Sequence, residues 1–297
     1  MAMSSEPGRP VAPLPAMPVP TSRPPGPPRG APPEAGVAAR QYWDAVGDDW
    51  VLNHPDDLWR RCSDAIHVRW LERVASDVRG KRILKTDLFD EAFGDGLTSW
   101  FEERGNDVVA CDLALPTAIG ASKKQASVAA AVADVRRLPF AAGVFDCVFS
   151  DSTLDHFDSE CDIQQSLHEL GRVLRPGGTL LLTLDNPLNP FVWLRNLRPG
   201  LWRRLGLVPY MVGATCSASR LEHLLSAAGF EVRTAGTIMH APRVLLVPIC
   251  RWVARVEGRR QPTAPWLNWL RRLEYLDRLP LRQLTGHFVA VVARKAV

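Results

Sequence analysis

The sequence predicts an α/β protein built on a doubly wound, mostly parallel sheet, and three observations predict it. Short apolar, often β-branched runs recur in KRILKTDLFD, NDVVACDLA, SVAAAVADV, VFDCVFSDS and GGTLLLTLDNP. Helical segments such as LTSWFEERG lie between several of these runs, and alternation of strand and helix is what crossover connections in a parallel sheet require. The residues just after the runs are acids, glycines or serine: Asp87, Asp90, Glu91, Gly94 and Gly96 after the first, Asp112 after the second, Asp134 after the third, Ser150 and Asp151 after the fourth. In open α/β sheets, ligands bind at the carboxyl ends of the strands.

Taken in order, the chain begins with a segment too rich in proline to build a core. Twelve of the 25 prolines precede residue 34, so residues 1–36 are expected to be a disordered, solvated tail. Residues 37–297 are expected to form one domain. It opens with a helical cap, residues 37–80, in which Trp59, Ile66, Trp70 and Leu71 are spaced to face a core. The first strand ends in acids and glycines, and the helix LTSWFEERG is closed by Gly105.

Composition narrows the class further. No run approaches the roughly 18 apolar residues needed to cross a bilayer, and the N-terminus lacks an apolar signal-peptide core, so a cytosolic location is expected. Cys62, Cys111, Cys147, Cys161, Cys216 and Cys250 are widely scattered, which suggests reduced packing thiols and neither a metal site nor a disulfide framework. The net charge of +4 hides an asymmetry: residues 186–297 carry 17 Lys/Arg against 5 Asp/Glu, a balance of +12, leaving −8 for residues 1–185.

Glycine lets a backbone approach a ligand closely, and a carboxylate ending a second strand can accept hydrogen bonds from both hydroxyls of a ribose. A nucleoside carrying a cationic group fits this ring of acids. At these residues the chain resembles the class I S-adenosylmethionine-dependent methyltransferases, specifically the group that includes quinone-biosynthesis and small-molecule enzymes. ADVRRLPFAAGVFDCVFSDSTLDHF is similar to that family's D-x-x-x-L-P-F…F-D-x-V motifs, and HELGRVLRPGGTLLLT to its helix, turn and fifth strand. The resemblance implies a Rossmann-like, seven-stranded sheet, with SASRLEHLLSAAGFEVRTAGTIMH as late helix and sixth strand and HFVAVVARK as closing strand.

The resemblance also implies S-adenosyl-L-methionine as cofactor and gives residues their roles. Asp112, with Leu113 beside it, would bind the ribose; Asp134 the adenine amino group, with Val135 against the ring; Gly94 and Gly96 the methionine moiety; and Ser150 the pocket wall. DEAFGDG keeps Asp90, Gly94 and Gly96 but has Ala92 at the first glycine position. Asp90 is preferred as the motif acid, because 22 residues separate it from Asp112; in the other register Asp87 is the acid and LFDEAF an insertion. Tyr42 and Trp43 match the segment that folds over the cofactor in this family.

The expected activity is methyl transfer to a small, hydrophobic acceptor. His156 is the best candidate base, with Asp155 or Asp151 to orient it, against a purely structural role; His54 and His240 are weaker candidates. Two basic, apolar helical insertions are expected at about 187–213 and 242–280. In the second, Trp266, Trp269, Leu270, Leu273 and Leu276 form an apolar stripe, with Arg271, Arg272, Glu274 and Arg278 mostly off it. A lid over the acceptor, a peripheral membrane contact and a dimer surface all fit these insertions, whereas nucleic acid does not, since no recognised nucleic-acid module accompanies the arginines. The alternative function is a non-catalytic nucleoside-binding or scaffold protein of the same fold. A nicotinamide oxidoreductase is disfavoured, because the glycines fall as G-D-G with Leu97 and Thr98 following.

Overall fold

A computed structural model of the chain describes residues 37–53, 57–198, 200, 211–258 and 261–297. The expected tail, residues 1–36, and most of 199–210 in the first insertion lie outside the described residues, as does His54.

Two helices, α1 (Val37–Asn53) and α2 (Asp57–Val74), lead into β1 (Arg82–Lys85). There follow α3 (Phe89–Phe93), α4 (Thr98–Glu102), β2 (Asp107–Asp112), α5 (Leu115–Lys124), β3 (Ala129–Val132), β4 (Phe145–Asp151), α6 (Glu160–Val173) and β5 (Leu174–Asp185). The remainder comprises α7 (Pro190–Leu197), α8 (Ala218–Ala227), β6 (Phe230–Ile238), α9 (Arg243–Glu257), α10 (Ala264–Leu273), α11 (Arg282–Thr285) and β7 (Phe288–Lys295). The seven strands form one sheet in the order β3-β2-β1-β4-β5-β7-β6. Strands β1 to β5 run parallel, and β7 is antiparallel to both its neighbours. This is the doubly wound, mostly parallel sheet expected from the sequence.

The central strands are largely apolar on both faces because helices cover both. On one face α2 presents Trp59, Cys62, Ile66, Trp70 and Leu71 to Ile83 and Phe149 of the sheet, and all are buried. On the other, Ile163, Leu167 and Leu170 of α6 follow helical spacing and pack against Val148 and Leu182. The Ser159 hydroxyl caps α6 by accepting from the Asp162 N–H. Gly105 adopts φ +74° just beyond α4, where a side chain would be strained.

The segment after β1 departs from the preferred sequence reading. The strand stops at Lys85, Thr86 continues its pairing through a bond from its N–H to the Phe149 carbonyl, and Asp87 is the acid that follows. Asp90 instead lies inside α3, so it is the alternative register, with a short helix inserted, that describes the backbone. The insertion is held from beneath by a buried ion pair. Lys85 Nζ lies 2.9 Å from Glu91 Oε2, and neither side chain has any solvent exposure. The other carboxylate oxygen of Glu91 accepts from the N–H groups of Leu97 and Thr98, which open α4. Gly96 has φ +71°, and a Cβ there would lie 2.7 Å from Glu91, so the glycine makes room for the carboxylate.

The insertions are parts of the domain. Leu246 and Cys250 of α9 and Leu270 of α10 are buried with α2 in the same core. The stripe expected to run from Trp266 to Leu276 is shortened: α10 ends at Leu273 and a 3₁₀ turn spans Glu274–Arg278. The cause is Glu274, which turns inward and accepts from the N–H groups of Met239 and His240. No described helix is long and apolar enough to cross a membrane.

Removing the cation from a buried pair leaves an uncompensated charge, so Lys85→Met is expected to cost about 3–5 kcal/mol of folding stability. Urea denaturation followed by circular dichroism checks this, and a loss under about 1 kcal/mol would mean the pair does not brace the turn.

Candidate active site

The carboxyl ends of β1, β2, β3, β4 and β5 open into one cavity of about 440 Å³, within the range of small-molecule sites. Its floor is acidic. Asp87, Asp90, Asp112 and Asp134 all reach its wall, with Leu113 and Val135 beside them.

Asp112 is fixed by the backbone, its two oxygens accepting from the N–H groups of Ala114 at 2.7 Å and Leu88 at 3.1 Å. Burial pushes its carboxyl up to about 6 against the pull of those bonds. Burial also raises Asp87 well above the usual range, Lys85 opposes this, and Asp112, Asp90 and Glu91 raise it further. Acids crowded in this way favour a ligand that brings hydroxyl donors and positive charge. Asp134 is already engaged: Arg136 donates to it from its backbone N–H at 2.9 Å and from its guanidinium at 2.7 Å, and the same guanidinium reaches Asp162. An adenine amino group would therefore share Asp134 with Arg136.

Three residues expected to touch the cofactor are not brought to the wall. Gly96 packs against Glu91, the Gly94 N–H donates to the Asp90 carbonyl, and Ser150, fully buried, accepts from the Thr86 hydroxyl at 2.9 Å. Their neighbours Thr86, Asp151, Ser152 and Thr153 line the cavity in their place. Asp90 lines it too, but in an ion pair with Arg60, whose guanidinium lies over the rings of Trp50 at 4.9 Å and Phe89 at 4.5 Å.

Helix α2 contributes Arg60, Ser63 and His67, which sequence reading missed. The available signal was Arg60, Asp64 and His67, polar residues at helical spacing within a core-facing helix, all of them buried. His67 Nε2 pairs with Asp151 at 3.1 Å and Nδ1 lies 3.0 Å from the Ser63 carbonyl. Burial disfavours a charged ring, but Asp151 and the carbonyl outweigh it and raise His67 to about 9. Both nitrogens are thus protonated donors at neutral pH, which makes His67 a fixed cation and a poor base.

His156 is placed differently. It lines the cavity, its Nδ1 lies 3.0 Å from the Met211 carbonyl, and its ring meets the edge of Trp43 at 4.8 Å. A carbonyl only accepts, so Nδ1 carries a hydrogen in this contact. Buried Asp155 lies 3.9 Å from Nε2. Trp43 belongs to α1, which folds over the cavity, while Tyr42 stays behind the wall and its hydroxyl accepts from the Met211 N–H. His240 is structural, with ring nitrogens at Thr285 and the Thr237 carbonyl.

Comparison with known proteins decides the family. Residues 90–182 match the model of a methyltransferase domain. A demethylmenaquinone methyltransferase of Thermus thermophilus is 33% identical over 203 residues, covering 60% of this chain and 88% of that protein. This chain belongs to the S-adenosylmethionine-dependent methyltransferases. A malonyl-[acyl-carrier protein] O-methyltransferase of Enterobacter lignolyticus is 33% identical over 129 residues, or 43% of this chain, and the match spans 46% of that relative's length. Among solved structures, an S-adenosylmethionine-dependent methyltransferase from Mesorhizobium loti superposes with a TM-score of 0.53 at 18% identity, covering 76% of this chain and 96% of that one. S-adenosylmethionine is the cofactor of this family, and the backbone-fixed carboxylate of Asp112 among crowded acids is suited to it.

Were Asp112 to hold a ribose it would have to be ionised, so binding would draw its pKa down, and affinity would rise above about pH 6 and fall below it. Calorimetric titration with S-adenosylhomocysteine is expected to show up to about tenfold weaker binding at pH 5 than at pH 7. In Asp112→Ala binding should be lost at both.

Proposed function

We propose that this methyltransferase moves the methyl group of S-adenosylmethionine onto a small, apolar acceptor, with His156 as the base. The observation that carries the reading is the continuity of one cavity from the strand-end acids to a wall built by α7 and α9, in which Phe191, Val192, Leu194, Val244 and Val247 stand between Arg195, Arg243 and Arg251.

Asp112 would hold the ribose, Asp134 and Val135 the adenine, and Asp87 the cationic end of the cofactor. Bound S-adenosylmethionine supplies an already activated methyl electrophile, so the chain has to position the acceptor, exclude water and remove a proton. Trp43 from α1, with α7 and α9, walls the cavity from solvent. The Met211 carbonyl fixes the His156 tautomer that leaves Nε2 able to take a proton, and the Trp43 ring restricts its rotation. The nearby Asp155 carboxylate favours the imidazolium so formed.

Transfer of a labelled methyl group to a panel of prenylated quinols, polyketides and small polar alcohols and amines tests the reading. Apolar acceptors should be turned over, and His156→Gln should lower kcat by about 10²–10⁴ with unchanged affinity for S-adenosylhomocysteine. Turnover confined to polar acceptors would refute the apolar assignment, and a fully active His156→Gln the assignment of the base.

A further inference from the structure

Helix α9 is apolar on two faces. Leu246 and Cys250 point into the core, while Leu245, Ile249, Trp252 and Val256, at spacings of four, three and four, form a stripe on the outside; Leu245 and Trp252 are each 58% exposed and Val256 62%. Helix α7 repeats the pattern, with Val192 buried and Phe191, Trp193, Leu194 and Leu197 exposed. A soluble protein rarely leaves so many neighbouring large apolar side chains in water without a use for them.

The two surfaces meet at the cavity. Phe191 and Leu194 of α7 and Val244 of α9 are exposed and also line the cavity, so the apolar exterior runs without a break into the acceptor site. Arg195 of α7 turns inward to Asp185 and Arg243 of α9 lies over the Trp59 ring, while Arg251 and Arg255 of α9 stand with the single acid Glu257. Arg251 and Arg255 are exposed beside the apolar stripe.

We infer that the exposed faces of α7 and α9 dock this enzyme on an anionic phospholipid surface, with Trp252 and Leu245 entering the acyl boundary and Arg251 and Arg255 at the headgroups. Apolar side chains flanked by arginine and tryptophan are the pattern of helices that lie in a bilayer interface. A second copy is a poorer occupant, because a two-fold contact through this face would set Arg251 and Arg255 near their own counterparts. The docked orientation lets an apolar acceptor pass from the bilayer into the cavity without crossing water.

Flotation of the full chain with vesicles tests the inference independently of methyl transfer. Equimolar phosphatidylglycerol and phosphatidylcholine should carry the protein, and phosphatidylcholine alone should carry less. Raising the salt should weaken binding. Trp252→Glu and Leu245→Glu, neither residue lining the cavity, should each lower the bound fraction about tenfold or more while S-adenosylhomocysteine affinity is retained. Should these variants not fold, quenching by acyl-brominated lipid decides: it should be smaller in Trp252→Phe than in wild type. Absence of flotation with anionic vesicles, flotation or quenching unaffected by the substitutions, or a dimer that Trp252→Glu dissociates without any lipid binding would each overturn it.

Discussion

The turn after β1 depends on one buried ion pair, and the site depends on that turn. Lys85 ends β1 with its ammonium group in the core, and Glu91 answers it while capping the first turn of α4. A buried pair of this kind adds little net stability compared with an apolar pair of equal volume, but it tolerates few other arrangements. What it fixes here is where α3 sits, and therefore which acids face the cavity and which glycines face inward. Asp87 is left at the strand end, Asp90 is turned toward Arg60, and the Gly94–Gly96 segment is drawn beneath the helix.

Three histidine–carboxylate pairs adjoin the cavity, His67–Asp151, His156–Asp155 and His287–Asp185, and the first two differ in their hydrogen bonding. His67 has an acceptor at both nitrogens, a carbonyl and a carboxylate, and so holds two protons. His156 has a carbonyl at one nitrogen and only a more distant carboxylate near the other. The fixed positive charge of His67 in turn keeps Asp151 ionised although it is buried.

Much of this was legible in the sequence. Strand ends follow from the apolar runs, so Asp112, Leu113, Asp134, Val135 and His156 could be placed at the cavity before any coordinates. That Gly94 and Gly96 do not line the cavity has a local cause: the runs do not reveal that β1 stops at Lys85 or that a five-residue helix intervenes; Ser150 stays within β4, bonded to the Thr86 hydroxyl. Arg60 and His67 were missed because their partners lie far along the chain; Arg60 meets Asp90 across 30 residues, and only packing of α2 on the sheet brings them together. Arg136, two residues from Asp134, shows that nearness in the chain is no guarantee either: nothing in the sequence pattern singled it out, although its side chain clamps the acid beside the cavity.

The antiparallel β7 has a consequence for how the domain is made. It follows β6 in the chain yet lies between β5 and β6 in the sheet, so β6 has no strand to pair with until β7 has been synthesised. From Ile238 to Lys295 the ribosome needs roughly 3–10 s at ordinary elongation rates. For that interval β5 presents an unpaired, largely apolar edge of the kind other chains can join. The nascent domain thus passes through a state in which its first five strands can be assembled while its sheet is still open on one side, and this is where a chaperone would be needed most.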